Sequence, residues 1–312
     1  MLVAGVLVCA LAVAALVVLP RSGVLLRERC VVTADGEEFT FSPEQTANAA
    51  TIAAVGMRTG TGERGVVIAL ATAIQESKLR NLDHGDRDSL GLFQQRPSQG
   101  WGTAEQVRDP IRASEQFYAA LRKVKGYESL PLTEAAQRVQ RSGFPLAYAA
   151  HEDEAAALAG PLTGRRPEAL SCSVRPDAVS VETVRPSGLT PRADRVRREA
   201  EAAFGDLSLG GFAPGGVSTG HIEGSAHYEG RAIDVMFRPV DDRRRRAGWA
   251  TATWLVANAE RLDIATVIYS DRIWTSRRSS EGWRPYVHPS GNRTDPTLRH
   301  LDHVHVDVLE GD

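Results

Sequence analysis

The chain has 312 residues, of which 42% are hydrophobic and 24% are charged. This length allows two domains and excludes a single small one, and the apolar content excludes a chain that is disordered throughout. The 37 basic and 39 acidic side chains leave a formal net charge of −2. Because no long-range cationic field is present to attract nucleic acid, we expect no nucleic-acid partner.

The N-terminal segment is apolar without interruption over residues 2–19. A helix of that length spans about 27 Å, close to the hydrocarbon thickness of a bilayer. We therefore predict an N-terminal apolar helix over residues 1–20, either a membrane anchor or a secretory signal peptide, with a buried core helix as the third alternative. An anchor is slightly favoured because no clean cleavage site precedes Pro20.

Two cysteines, Cys30 and Cys172, lie outside the apolar segment. A disulfide between them would close a loop of about 140 residues, worth roughly 4–5 kcal/mol in the loop-entropy model. The alternative is a pair of unpaired buried thiols. A disulfide favours an extracytoplasmic protein, membrane-anchored or secreted.

A segment rich in Pro, Ser, Thr and Val, residues 173–191, has no helical period. It predicts a linker between two domains, residues 31–172 and 192–312. Apolar residues recur at three- and four-residue spacing in the first domain, which predicts a mainly α fold, whereas the second mixes helical and strand patterns, which predicts α+β. The predicted helices cover residues 47–58, 65–78, 112–123, 133–142, 193–204 and 241–260, and the predicted strands cover 264–269 and 303–308.

Glu76 comes at the end of an apolar predicted helix and is expected to face a buried surface. Partial desolvation raises the pKa of a carboxyl group, as a general acid for glycosidic cleavage requires. The alternative is a surface glutamate at a helix end. Residues 85–97 follow as a glycine-permitted loop that returns polar side chains toward Glu76. In this loop Asp86 and Asp88 are either turn-forming residues or a second carboxylate.

Two motifs in this region, Glu76-Ser77 and Gly-Leu-Phe-Gln at 91–94, resemble the lysozyme-like lytic transglycosylase superfamily, with phenylalanine where the family has methionine. The resemblance spans about residues 45–160 and implies a lysozyme-like domain. It further implies that Glu76 is the general acid and then the base, and that Ser77 and Gln94 contact the sugar or support the site. The family's Tyr-Asn-x-Gly segment has no recognisable counterpart, and Tyr148 is the nearest candidate for its substrate-binding tyrosine.

Histidines are concentrated near the C-terminus, where six of the eight follow residue 220. On a predicted strand, His303 and His305 share a face because side chains alternate. One of these two histidines, with one histidine and one aspartate from the segment 225–234, would make three ligands of a zinc site with an open position. His221 and His288 have no place in this pattern and are expected to be surface or loop histidines.

The segment 225–234, Ser-Ala-His-Tyr-Glu-Gly-Arg-Ala-Ile-Asp, and the later His-Val-His at 303–305 resemble a zinc peptidase superfamily. This superfamily contains D-alanyl-D-alanine peptidases, penicillin-insensitive murein endopeptidases and the hedgehog signalling domain. The resemblance implies an α+β zinc-peptidase-like domain with His303 as general base. His300 matches an extra histidine of the murein endopeptidase branch, and Arg231 would orient substrate or stabilise developing negative charge. The implied zinc ligands are His227, Asp234 and His305.

Both resemblances are to enzymes that act on peptidoglycan. We therefore expect an exported cell-wall remodelling enzyme with peptidoglycan as its partner, Zn²⁺ as its cofactor and membrane contact through the N-terminal helix. The first domain would cut the glycan strand and the second an amide bond of the peptide stem or cross-link. The alternative is a cell-wall-binding or assembly protein in which one or both sites are inactive.

Overall fold

The structure is a computed structural model that describes residues 28–311. The N-terminal apolar helix predicted over residues 1–20 lies outside the described residues. In the part of the chain that the structure describes, no helix is long and apolar enough to cross a membrane. Roughly 41% of the residues are helical and 15% are in strands, and the strands pair antiparallel. The chain is therefore an α+β protein.

Helices dominate the first half of the chain, whereas the second half combines two long helices with six of the nine strands that the described residues form. The helices are α1 (Pro43–Arg58), α2 (Gly62–Ser77), α3 (Ala104–Arg108), α4 (Pro110–Leu121), α5 (Leu132–Gln140), α6 (Glu152–Leu162), α7 (Pro191–Phe204) and α8 (Asp242–Ala257). The strands are β1 (Arg29–Ala34), β2 (Glu37–Phe41), β3 (Leu170–Ser173), β4 (Leu209–Gly210), β5 (Ala232–Met236), β6 (Ile264–Tyr269), β7 (Arg272–Thr275), β8 (Arg284–Pro285) and β9 (His303–Val308).

The six predicted helices are present, with ends that differ by a few residues because caps, and not apolar spacing, set the ends. Helix α1 starts earlier than predicted because Ser42 and Gln45 form a capping box and Pro43 occupies the first turn. Helix α2 ends at Ser77 because Lys78 adopts the left-handed conformation. The two predicted strands match β6 and β9 residue for residue.

A three-stranded sheet with the order β2-β1-β3 lies beside the helices of the first half. Its register places Cys30 opposite Cys172, and the two buried side chains form a disulfide. The predicted pairing of these cysteines is thus confirmed. The bond ties the start of the described chain to β3 and encloses all of the helices from α1 to α6 in one covalent loop.

A six-stranded antiparallel sheet with the order β4-β5-β9-β6-β7-β8 forms the second half, and α8 packs on it. In β9, Val304 and Val306 are buried in the core. Because side chains alternate along a strand, His303 and His305 lie on the opposite face. The two histidines thus share a face, as the strand pattern predicts.

The two halves pack against each other through a continuous apolar core, with α1 lying against α7 and α8. The indole N–H of Trp274 donates to the Cys172 carbonyl (3.2 Å) and that of Trp283 donates to the Leu170 carbonyl (3.1 Å). These tryptophans hold the second half onto β3. The predicted linker, residues 173–191, starts at the last residue of β3 and runs on to α7 without regular secondary structure.

Candidate functional site

A cluster of histidines and acidic groups lies where β5 and β9 run side by side. The antiparallel register places Asp234 directly opposite His305. His227 reaches them from a short 3-10 turn at Ala226–Glu229, which is capped by the Ser225 side chain and closed by Gly230 in the left-handed conformation. The serine and glycine of the sequence motif therefore shape the turn that carries the histidine.

Three ligand atoms of this cluster lie almost equally far from one another. The Nε2 atom of His227 is 3.1 Å from Nδ1 of His305, and Oδ1 of Asp234 is 3.3 Å from each of these nitrogens. All three side chains are buried. Ligand bonds of about 2.0–2.1 Å in tetrahedral geometry place neighbouring ligand atoms roughly 3.3 Å apart. The spacing of the three atoms therefore fits a small cation with tetrahedral coordination.

Hydrogen bonds on the far side of each ring determine which nitrogen faces the cluster. The Nδ1–H of His227 donates to the Gly211 carbonyl (2.7 Å), and the Nε2–H of His305 lies 3.3 Å from Asp307 Oδ2. These outer contacts direct Nε2 of His227 and Nδ1 of His305 toward the cluster, where each nitrogen could bind a metal ion on losing its proton, the arrangement usual for metal-binding histidines. Gly211 and Asp307 lie outside the two motifs, so no pattern in the sequence pointed to them.

The electrostatics of the cluster favour an anionic carboxylate at its centre. Burial acts to raise the pKa of Asp234, but hydrogen bonds from His227 and His305 hold it well below its usual range. Burial acts to lower the pKa of His305, yet the hydrogen bonds to Asp234 and Asp307 raise it to about 9. A buried negative charge surrounded by imidazoles is a suitable environment for a divalent cation.

His303 is oriented by a buried aspartate. Its Nδ1–H donates to Asp302 Oδ1 (2.7 Å), while Nε2 lies 3.8 Å from Asp234 Oδ1. Asp302 in turn accepts hydrogen bonds from Arg238 (2.8 Å) and Thr297 (3.0 Å). The imidazole is held with one nitrogen toward the cluster, which suits a group that accepts a proton there. Asp302 was not singled out in the sequence, although it precedes His303 directly.

His300 lies against His303, with ring centroids 4.6 Å apart, and has a positive φ of 52°. Its Nδ1 atom is buried and has no hydrogen-bond partner among the described residues. Burial lowers the pKa of His300 to about 3, so the ring is neutral. An unpaired ring nitrogen of this kind is available to a ligand bound in the cleft.

His221 also belongs to the cluster. Its ring stacks on His227 with centroids 3.9 Å apart, and the ligand atoms of His221, His227 and Asp234 all lie within 4.8 Å of one another. This group could hold a metal ion. Tyr228 exchanges two hydrogen bonds with the backbone of His221 and so anchors its loop. The one sequence signal was its position six residues before His227 in a glycine-rich stretch.

An open cleft of about 650 Å³ gives access to the cluster. His221 and His288 both line this cleft. Arg231 lines the same cleft, but its guanidinium is held by the Glu229 carboxylate and donates to the Val308 carbonyl (2.8 Å). The guanidinium is thus engaged within the fold.

Glu76 is the penultimate residue of α2, and its side chain is partly exposed. The hydroxyl of Tyr148 donates to Glu76 Oε1 (2.7 Å), although 72 residues separate the two in sequence. Tyr148 is buried, and burial raises the pKa of its hydroxyl, so that it stays a donor. Gln75, the residue before Glu76, contacts His151, with a ring nitrogen 2.9 Å from the amide oxygen. The structure therefore brings Tyr148 and Glu76 together.

The loop at 91–94 is attached to α2 through Ser77. The Ser77 hydroxyl is buried and lies 2.7 Å from the Leu92 carbonyl oxygen. Gln94 donates from its side-chain amide to the carbonyls of Gly91 (3.2 Å) and His84 (3.3 Å). Gly91 has a φ of +76°, and a Cβ there would lie 2.1 Å from the Val107 carbonyl oxygen, so this turn requires glycine. The Ser77 hydroxyl therefore holds the loop at 91–94 against α2.

Asp88 closes the next turn of the same loop. Its carboxylate accepts hydrogen bonds from the Ser98 backbone (2.8 Å) and the Arg96 guanidinium (2.8 Å). These bonds hold the pKa of Asp88 well below its usual range. Asp86 is exposed at the surface of the loop. The contacts of Asp88 are those of a turn-forming residue, one of the two interpretations that its sequence position allows.

One family model matches the chain. It is described as VldE, C-terminal domain, and it matches residues 185–301. This range starts within the predicted linker, contains His221, His227 and Asp234, and ends just before the histidines of β9. No curated protein matches the chain. The second half of the chain is therefore similar to the C-terminal domain of VldE.

Proposed function

We propose that the chain is an exported peptidoglycan-remodelling enzyme with two sites. In this proposal the helical half is lysozyme-like and cuts the glycan strand, and the second half is zinc-peptidase-like and cuts an amide bond of the peptide stem or cross-link. The observation that carries the proposal is the triangle of ligand atoms formed by His227, Asp234 and His305, with edges of 3.1 to 3.3 Å.

We assign zinc to this triangle because two imidazoles and one carboxylate at tetrahedral spacing are the donor set of hydrolytic zinc sites. Zinc bound there would polarise a scissile carbonyl and lower the pKa of water. His303, oriented by Asp302, would take up the proton that water releases. The ligand atom of His221 lies within 4.8 Å of those of His227 and Asp234, so His221 could supply a further ligand to this ion.

The proposed glycan site depends on one carboxyl group. The Tyr148 hydroxyl donates to Oε1 of Glu76, which leaves Oε2 to carry the proton that a glycosidic oxygen would receive. Ser77 and the loop at 91–94 would position the sugar against this group. Because Asp88 is bound to Arg96 and Ser98, the substrate's own N-acetyl group or hydroxyl would replace a second carboxylate.

An extracytoplasmic location agrees with the disulfide between Cys30 and Cys172, since such bonds persist in oxidising compartments. Peptidoglycan is a fixed polymer in that compartment. Once one site of the chain has bound this polymer, the other site would meet the bond that it cuts at a higher local concentration.

The test is mass spectrometry of muropeptides released when isolated sacculi are incubated with the full chain in detergent, with and without a zinc chelator. We expect cuts in glycan and in peptide, with chelation abolishing the peptide cuts alone. Glu76→Gln is expected to abolish the glycan cuts alone, and Glu105→Gln, an exposed substitution on α3, serves as the control. Absence of products in every condition would refute the enzymatic proposal and favour a binding protein.

A further inference from the structure

A second cavity, of about 730 Å³, lies in the first half of the chain, away from the histidine cluster. It is bounded by the turn that follows residues 97–99, by the chain just beyond α4 and by the end of α5. Cationic side chains surround it, and the indole of Trp101 forms part of its wall. The four cations are Lys123, Lys125, Arg138 and Arg141.

The charge of this cavity is largely uncompensated. Arg138 pairs with Glu134, whereas Lys123, Lys125 and Arg141 form no ion pair within the described residues. The chain has three lysines in all, and two of them line this cavity. Basic residues at helix C-termini interact favourably with the helix dipole. The dipole does not explain, however, why these residues share one cavity with an indole on its wall.

Gln140, the last residue of α5, also lines this cavity. The Gln140 side chain donates from Nε2 to the Phe93 carbonyl (2.8 Å), which fixes the orientation of its amide. Its Oε1 atom is buried and has no hydrogen-bond partner among the described residues. This oxygen is closed off from the cavity, and the bond to Phe93 ties the end of α5 to the loop at 91–94.

We propose that this cavity binds a saccharide that carries a carboxylate, such as a peptidyl sugar. The cations suit the carboxylate, and the Trp101 indole suits the apolar face of a sugar ring. The choice of a peptidyl sugar rests on the proposed function. Phe93, which holds Gln140, is next to Leu92, which Ser77 binds, so the cavity and the Glu76 site share one loop.

The experiment measures binding without cleavage. The full chain carrying Glu76→Gln is titrated with a soluble disaccharide-tetrapeptide muropeptide, in chelator, by calorimetry. N,N′-diacetylchitobiose serves as the neutral disaccharide and inorganic phosphate as the other source of negative charge. Lys123→Gln/Lys125→Gln removes two charges from the cavity. Arg243→Gln/Arg246→Gln removes two exposed charges on α8 and is the matched control.

We expect the lysine pair variant to weaken muropeptide binding about tenfold and the arginine pair variant to leave it unchanged. Chitobiose binding should be weak and equal in all variants. Three results would overturn the proposal. The first is equal muropeptide affinity in the two pair variants, and the second is absence of muropeptide binding in the parent. The third is displacement of muropeptide by equimolar phosphate. If the wild-type chain releases nothing from sacculi while the lysine effect on binding persists, the proposed function fails and this binding site stands.

Discussion

Replacing Ser77 with alanine examines how the loop at 91–94 is held against the helix that carries Glu76. The Ser77 hydroxyl lies 2.7 Å from the Leu92 carbonyl oxygen and 3.0 Å from that of Ala73. The Ala73 carbonyl keeps a backbone hydrogen bond when the hydroxyl is removed. The Leu92 carbonyl accepts no backbone hydrogen bond within the described chain, and Leu92 is fully buried. Ser77→Ala would therefore leave one buried acceptor without a partner.

The expected cost follows from that unpaired carbonyl. Leaving a buried acceptor unsatisfied lowers the free energy of unfolding by about 1–3 kcal/mol. Thr72→Val is a matched control, because Thr72 is buried on the same helix and its hydroxyl donates to the Ile68 carbonyl (2.7 Å). That carbonyl also accepts the backbone N–H one turn later, so we expect this control to cost less than about 1 kcal/mol.

Urea unfolding followed by circular dichroism measures both variants against the parent, and glycan release from sacculi measures the site. Ser77→Ala is expected to lose stability and glycan release, whereas Thr72→Val keeps both. Equal stability losses in the two variants would show that the bond to Leu92 contributes nothing specific. Unchanged glycan release by Ser77→Ala would refute the idea that Ser77 positions the loop for catalysis.

Three further predictions concern the metal cluster, the glycan site and the disulfide. Asp234→Asn removes the anionic ligand and is expected to reduce bound zinc from about one ion per chain to nearly none, measured by elemental analysis, whereas His303→Gln keeps the zinc and loses peptide release. Tyr148→Phe removes the hydroxyl bonded to Glu76 and is expected to slow glycan release about tenfold. Replacing Cys30 and Cys172 by serine is expected to lower the free energy of unfolding by about 4 kcal/mol, measured by urea titration.

Each of these predictions has a result that contradicts it. Full zinc content in Asp234→Asn would exclude this aspartate as a ligand, and loss of zinc in His303→Gln would make that histidine a ligand. Wild-type glycan release by Tyr148→Phe would leave its bond to Glu76 without a catalytic role. An unchanged urea midpoint in the double serine variant would mean that the bridge adds no stability.

Local patterns in the sequence determined much of the secondary structure. Apolar residues at three- and four-residue spacing identified six helices, and β6 and β9 were predicted residue for residue. Alternation along β9 also predicted that His303 and His305 share a face. These features depend on neighbours a few positions apart, so they can be inferred without a fold. The strands β2 to β5, β7 and β8 were missed because two to five residues show little periodicity, and β1 was missed although it is as long as β6 and β9.

Contacts between distant residues were decided by tertiary structure. The register of β5 against β9 places Asp234 opposite His305, and the packing of the turn before α6 on α2 brings Tyr148 to Glu76. His221 joined the cluster because its loop folds back onto His227. Distances between such groups depend on strand register and on how helices pack, which are properties of the whole core and are not encoded in any one segment.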